Sequence, residues 1–143
     1  MREIIQKLLV VQENLFEGHL LNIGNPHIVF FKKISDSDLT DIGPIIEHHK
    51  YFPDRINVTF ADIQDKKNIK VNVWERGAGK TLACGTAACA TAFIAVQTSK
   101  SENPVNIHFQ KGHLKIEIQS NKSILMTGPV SEPQKIEVNL NED

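Results

Sequence analysis

Cysteine is scarce in this chain of 143 residues, which holds only Cys84 and Cys89. Five positions apart, they fall on different sides of a helix and are badly placed to bridge. A zinc site needs several ligands at characteristic spacing, and nothing near the pair supplies them. The histidines at 19, 27, 48, 49, 108 and 113 are scattered, without a metal-type pattern. At least one free thiol is expected, and no metal. A basic surplus is missing too. Lys and Arg number 16 against 17 Asp and Glu, a formal net charge of -1, so no excess exists to neutralise phosphates or an anionic bilayer. Nucleic acid and membrane partners are therefore not expected. No apolar run approaches the length of a membrane span, and Met1-Arg2-Glu3 lacks the apolar region of a signal peptide. A cytoplasmic location is the expectation. Apolar residues at 41% and charged residues at 23% are ordinary for a globular chain, and the length suits a single domain over 1–143.

The pattern reads mostly as strand, interrupted by helices. Residues 19–24 and 27–33 form apolar strands about the turn signal Asn25-Pro26. Ser35, Asp36, Ser37 and Asp38 offer N-caps for a helix over about 38–49, with Leu39, Ile42, Ile45 and Ile46 on one stripe and Pro44 inside it. Residues 56–63 and 68–75 predict a hairpin around Asp65-Lys66-Lys67, since Ile69, Val71 and Val73 alternate cleanly. Strands at 104–110 and 113–119 predict a second hairpin over Gln110-Lys111-Gly112, and 123–128 and 134–140 add further strand. From Cys84 to Gln97 there is no charge at all. A helix apolar on every side is a buried one. Strands in this number with one wholly apolar helix predict an α+β fold: a mostly antiparallel, barrel-like sheet wrapped around a central buried helix.

Chemistry concentrates between Val73 and Thr86. Gly79-Lys80-Thr81 resembles the end of a phosphate-binding loop, but the position that must be the loop's first glycine is Trp74. What remains is a strand ending in Glu75-Arg76, a glycine-containing loop, and Cys84 at the start of the buried helix. Unpaired N–H groups and the positive end of the helix dipole meet there, which favours thiolate over thiol. The N–H groups of Gly85 and Thr86 can cradle a carboxylate beside the sulfur. Each residue also has a plainer reading. Cysteine in a helix is usually a small buried hydrophobe, and for Cys89 that reading is preferred. Glu75 and Arg76 can be solvated edge charges, Asn25 a turn residue, and His27 a satisfied strand histidine.

Taken together, certain blocks closely resemble the diaminopimelate epimerases. They are Ile23-Gly24-Asn25-Pro26-His27, Phe52-Pro53-Asp54-Arg55-Ile56-Asn57-Val58, Trp74-Glu75-Arg76-Gly77-Ala78-Gly79, Leu82-Ala83-Cys84-Gly85-Thr86 and Met126-Thr127-Gly128-Pro129, in the family's order and spacing across about residues 18–130. The resemblance implies two similar halves, each a barrel-like sheet around a central helix, with the active site between the helix N-termini. It implies inversion of the α-carbon of diaminopimelate, between its LL and meso forms, for lysine and peptidoglycan precursor biosynthesis. No pyridoxal phosphate, metal or other cofactor takes part. Two cysteines face each other across the substrate: one as thiolate removes the α-proton, the other as thiol delivers a proton to the opposite face. By motif position Cys84 is the catalytic member from the C-terminal half. Gly85 and Thr86 bind the reacting carboxylate through backbone N–H groups. Asn25, Asn57 and Arg76 hold the distal end, Glu75 meets the ammonium group, and His27 lines the site.

The chain departs from that pattern in two ways. Ala87 stands where the family usually has glycine. The N-terminal half, with the second cysteine, is absent, because Cys89 lies on the same helix and cannot face Cys84. The expected partner is that missing half or a second copy of the chain, with an exposed apolar face where it docks. Two enzyme readings stand beside a non-enzymatic one: the epimerase; a proline racemase-like isomerase, which would share Cys-Gly-Thr but not Asn25, Asn57 and Glu75-Arg76; and a catalytically incomplete half acting as a binding or assembly module. A thiol redox protein would need a resolving cysteine, and Cys89 is poorly placed for that.

Overall fold

The computed structural model describes residues 4–128 and the backbone of 134–136. The chain opens with a hairpin of β1 (Ile5–Val11) and β2 (Asn14–Asn22), whose register puts Val11 opposite Asn14. Gln12 and Glu13 make the turn with φ of 52° and 67°, left-handed values that match the twist of paired strands. β3 (Pro26–Phe30) returns antiparallel to β2, with Asn22 opposite Pro26. The expected turn at Asn25-Pro26 thus lies slightly earlier, around Gly24 at φ 110°.

A crossover through α1 (Asp36–Glu47) leads to β4 (Asn57–Asp65), parallel to β3. The Ser35 Oγ caps α1 by accepting the Asp38 N–H at 3.1 Å. The stripe expected on this helix is corrected at one position. Leu39, Ile42, Gly43, Ile46 and Glu47 are buried, whereas Ile45 is 40% exposed, because the face against the sheet passes through Gly43 and Glu47.

β4 and β5 (Asn68–Glu75) form the expected hairpin, with Asp65 opposite Asn68. The far half of β5 is bordered by β6 (Gly79–Thr81), and its near half by β7 (Val105–Phe109). Between them runs α2 (Gly85–Gln97), N-capped by Cys84. β7 and β8 (Gly112–Ile118) make the second expected hairpin, followed by β9 (Ile124–Thr127) and β10 (Gln134–Ile136). Residues 1–3, Pro129 and the remainder of the strand expected to reach 140 lie outside the described residues.

The strands form one sheet in the order β1-β2-β3-β4-β5-β7-β8-β9-β10, with β6 attached to β5. It is mostly antiparallel, with parallel pairs at β3–β4 and β5–β7 among the described residues. The expected barrel is corrected to an open sheet, in which β1 and β10 stand at opposite ends of the order. The physical reason lies in β3 and β4. Side chains alternate across a strand, and here both sets are apolar. Val29 and Ala61 join α2 in one core with Leu21, Ile69 and Val73. Ile28, Phe30, Val58 and Phe60 join α1 in a second, with Leu9, Val11 and Phe16. Because each face has its own helix, the apolar surface is covered without the sheet closing on itself.

On the first face α2 packs against β2, β3, β4, β7 and β8. Its residues 87–95 are all buried, and its alanines let the strands approach closely. Among the described residues no helix is long and apolar enough to cross a membrane.

Candidate functional site

Cys84 sits in extended backbone, φ -150° and ψ 108°, as the residue before α2. Its carbonyl accepts the Ala88 N–H at 3.0 Å, while its side chain makes no capping bond. The first N–H groups of a helix have no intrahelical partner, and those of Gly85 and Thr86 stand at this position. The helix start is also uncrowded by side chains. Gly85 contributes none, and a Cβ there would come 3.7 Å from the Met126 sulfur. Cys84 and Gly85 are half-buried and Thr86 is exposed, so the helix start opens to the surface.

Hydrogen bonds tie the sulfur to the beginning of β3. The Cys84 Sγ lies 3.6 Å from the Thr86 Oγ1. Asn25 Nδ2 donates to that hydroxyl at 3.4 Å, and His27 Nε2 lies 3.1 Å from Asn25 Oδ1. His27 is fully buried. Burial, with the nearby Arg76 charge adding to it, pushes its pKa down from 6.5 to about 4. The ring is therefore neutral near pH 7, and since Asn25 Oδ1 can only accept, Nε2 carries the proton. Each donor then points one way: His27 to Asn25, Asn25 to Thr86. The Thr86 hydroxyl, already accepting from Asn25, has its own hydrogen free for the sulfur.

A second group adjoins the first, because His27 on β3 is the register neighbour of Asn57 on β4. Asn57 is buried. Its Nδ2 donates to the Pro26 carbonyl at 2.9 Å, and its Oδ1 accepts the Arg76 N–H at 2.8 Å. The Arg76 guanidinium donates to the Asp54 carbonyl at 3.3 Å. The fold thus brings together Asn25, His27, Asn57, Arg76, Cys84, Gly85 and Thr86. Glu75 is close in sequence, half-buried at the end of β5 opposite Gly79, but its carboxylate joins neither group among the described residues. Cys89 is 1% exposed in the α2 interior, and burial pushes its thiol up to about 12. It is the inert hydrophobe that its surroundings imply.

Glu47 was missed by sequence reasoning. It is 4% exposed at the last turn of α1 and accepts the Trp74 indole N–H and the Gly77 N–H, each at 2.9 Å. Its signal was a carboxylate four positions beyond Gly43, on the buried face of an otherwise apolar stripe. The Pro26 carbonyl and Met126 were also missed as site neighbours, since a backbone oxygen and a gap-filling thioether have no pattern of their own.

Residues 19–132 match the diaminopimelate epimerase family. The chain is 50% identical over 124 residues to the diaminopimelate epimerase of Pelagibacter ubique, covering 86% of this chain and 45% of that protein. To the diaminopimelate epimerase of Moorella thermoacetica it is 38% identical over 131 residues, covering 90% of this chain and 47% of the other. The chain spans about half the length of the curated relatives it matches. Among solved structures, a PhzF-family phenazine biosynthesis protein from Bacillus anthracis overlays with a TM-score of 0.56 at 13% identity, over 86% of this chain and 38% of that one. That likeness speaks to the fold alone.

Proposed function

This chain belongs to the diaminopimelate epimerase family, and from that premise we propose that its residues form one half of the active site of a cofactor-independent amino-acid epimerase. The substrate is diaminopimelate, interconverted between LL and meso forms, in the cytoplasm. The observation that carries the reading is the hydrogen-bonded chain from His27 through Asn25 and Thr86 to the Cys84 sulfur, at the start of α2.

The α-proton of an amino acid is very weakly acidic, so a base and electrostatic stabilisers must act together. As thiolate, Cys84 takes that proton to become a thiol, and the C–H electron pair passes into the substrate's carboxylate. The Gly85 and Thr86 N–H groups and the α2 dipole stabilise the charge that builds on those oxygens. A thiol on the opposite face then donates its proton to the α-carbon. In the reverse direction Cys84 is the donor. Asn25, Asn57 and Arg76 hold the distal end of the substrate, with Glu75 turned to its ammonium group once ligand is present.

Residues 1–143 are read as a single domain, with the sheet curved about α2. Nine consecutive buried residues on that helix, Ala87 to Ala95, support this. The second thiol comes from a missing half or from another copy, since Cys89 is sealed inside α2. The isolated chain is accordingly an incomplete half-site.

The test is to incubate the chain with LL-diaminopimelate in deuterated water under reducing conditions, following α-proton exchange and epimer formation by NMR and chiral chromatography. The expected result is no inversion by the chain alone, and inversion once a half carrying the second cysteine is added, lost again with Cys84→Ser. Inversion that survives Cys84→Ser would overturn the reading.

A further inference from the structure

Glu47 occupies a position that two physical effects disfavour. It is a carboxylate at the C-terminal turn of α1, where the helix dipole repels negative charge and the turn itself holds no basic residue. It is also 4% exposed, and burying a charge is costly unless it is well paired. Both of its oxygens are engaged. Oε1 accepts the Trp74 indole N–H and Oε2 the Gly77 backbone N–H, each at 2.9 Å. The Arg55 guanidinium lies 3.4 Å from Oε2, and His48 Nδ1 lies 3.9 Å from Oε1. Burial pushes the carboxyl up, but the bonds from Gly77 and Trp74, with the charges of His48 and Arg55, outweigh it and hold it below its ordinary value of 4.5.

Those bonds close a set. The turn after β5 has three backbone N–H groups to satisfy, and each has a partner. The Arg76 N–H goes to Asn57 Oδ1, the Gly77 N–H to Glu47, and the Ala78 N–H to the Glu75 carbonyl at 3.0 Å. Gly77 and Gly79 adopt φ of 78° and 84°, conformations open to glycine that other turns could equally use. A glycine-containing turn is not rigid by itself, so its geometry rests on what holds its N–H groups. On one side is Asn57, part of the site. On the other is Glu47, which lies outside it and also pins the Trp74 ring lying beside Gly43 and Gly79.

We infer that Glu47 is a positioning residue for the distal part of the site: its carboxylate clamps Trp74 and Gly77 and so fixes the turn that carries Arg76 and Glu75. This rests on the proposed role of Arg76 and Glu75 in holding the distal end of diaminopimelate. Glu47 touches no substrate. Its effect falls on affinity for the distal end, leaving the chemistry at Cys84 unchanged.

The experiment compares the wild-type chain with Glu47→Gln and Glu47→Asp. Glu47→Gln keeps the shape but replaces one acceptor oxygen with a donor group that faces another donor. Three readings are made: amide exchange at Gly77 and at Ile28 by NMR, diaminopimelate affinity by NMR titration, and alkylation of Cys84 by iodoacetamide. The only tryptophan is Trp74, so its indole N–H resonance reports the clamp directly. For Glu47→Gln, Gly77 exchange should accelerate by about tenfold or more while Ile28 stays protected. The affinity should fall by about tenfold, with Cys84 alkylation within about twofold of wild type. Glu47→Asp, which keeps the charge, should recover part of both losses. Unchanged Gly77 exchange, or loosening of Gly77, Ile28 and Cys84 alike, overturns the positioning role. If Glu47→Gln unfolds the chain, Trp74→Phe removes the indole bond to Glu47 together with part of the ring's packing beside Gly43 and Gly79, and faster Gly77 exchange with Ile28 still protected is again the expected result, unchanged Gly77 exchange the one that overturns it. Failure of the wild-type chain to bind diaminopimelate would count against the functional reading, while Gly77 exchange would still decide whether the clamp exists.

Discussion

His27 is the residue whose energetics are most exposed to pH. It is fully buried and neutral, its pKa pushed from 6.5 to about 4 by burial and by Arg76. In the unfolded chain the ring takes up a proton below about 6.5, whereas the folded chain resists until about 4. Between those values the unfolded state binds more protons, so stability is fully present above about 6.5 and falls as pH drops toward 4. The loss over that window is on the order of 3 kcal/mol, and less where the denatured ring is itself shifted. A non-titrating amide in its place removes the slope. Urea unfolding at pH 7 and at pH 4.5 should show a smaller difference for His27→Gln than for wild type. An equal difference in both would mean that other groups carry the acid sensitivity.

At the scale of elements, α1 and the turn after β5 are fitted to one another by Gly43. Replacing a helical glycine with alanine usually gains about 0.5–1 kcal/mol, since glycine loses more backbone entropy on folding. Here a Cβ would meet Trp74 at 2.6 Å from Cγ and 2.9 Å from its Cβ. Those atoms sit next to the strand backbone and cannot swing away, so overpacking of about 1–3 kcal/mol outweighs the propensity gain. Gly43→Ala should therefore lower the urea midpoint and shift the Trp74 fluorescence. A raised midpoint would show that the ring is free to move.

What the sequence made legible at this scale depended on whether a signal was local. The charge-free run after Cys84 announced α2, and alternation with a short polar turn announced the β4–β5 and β7–β8 hairpins. The β1–β2 hairpin was not foreseen, because Gln12 and Glu13 make a turn whose usual marks are asparagine and glycine. β6 is three residues long and exists only because the turn at 76–78 folds it back on β5. In the site, Cys84, Gly85 and Thr86 were readable from their place at a helix start. Asn25 lies 61 residues from Thr86, and only resemblance to a family joined them. Glu47 gave no local signal of a site role, since its partners Trp74 and Gly77 lie 27 and 30 residues away.

For the whole molecule, the consequential feature is that both cores hang on the same two strands. Phe60 on β4 is 1% exposed, stacked on Phe30 with centroids 4.9 Å apart and edge-on to Phe16 at 6.2 Å. Cys89 lies across the sheet, in the α2 core. Since it is 1% exposed with its thiol pushed up to about 12, reagents reach it only when the structure opens. If β3 and β4 couple the two cores, that opening is global, and Cys89 labelling measures the stability of the whole chain. Phe60→Ala should cost about 3–5 kcal/mol, which at tenfold per ~1.4 kcal/mol speeds Cys89 labelling by roughly two to three orders of magnitude. Phe60→Leu, a milder change, should give a smaller acceleration in proportion to its own loss of stability. Cys84 is half-buried at the surface and should label at nearly the same rate in all three proteins, an internal control for reagent and pH. Mass spectrometry of timed alkylation distinguishes the two thiols. Cys89 labelling that ignores Phe60→Leu, although the variant is measurably less stable in urea, would mean that the α2 core opens on its own. The start of α2 could then move without disturbing α1, and a clamp acting from α1 would hold only its own side of the site.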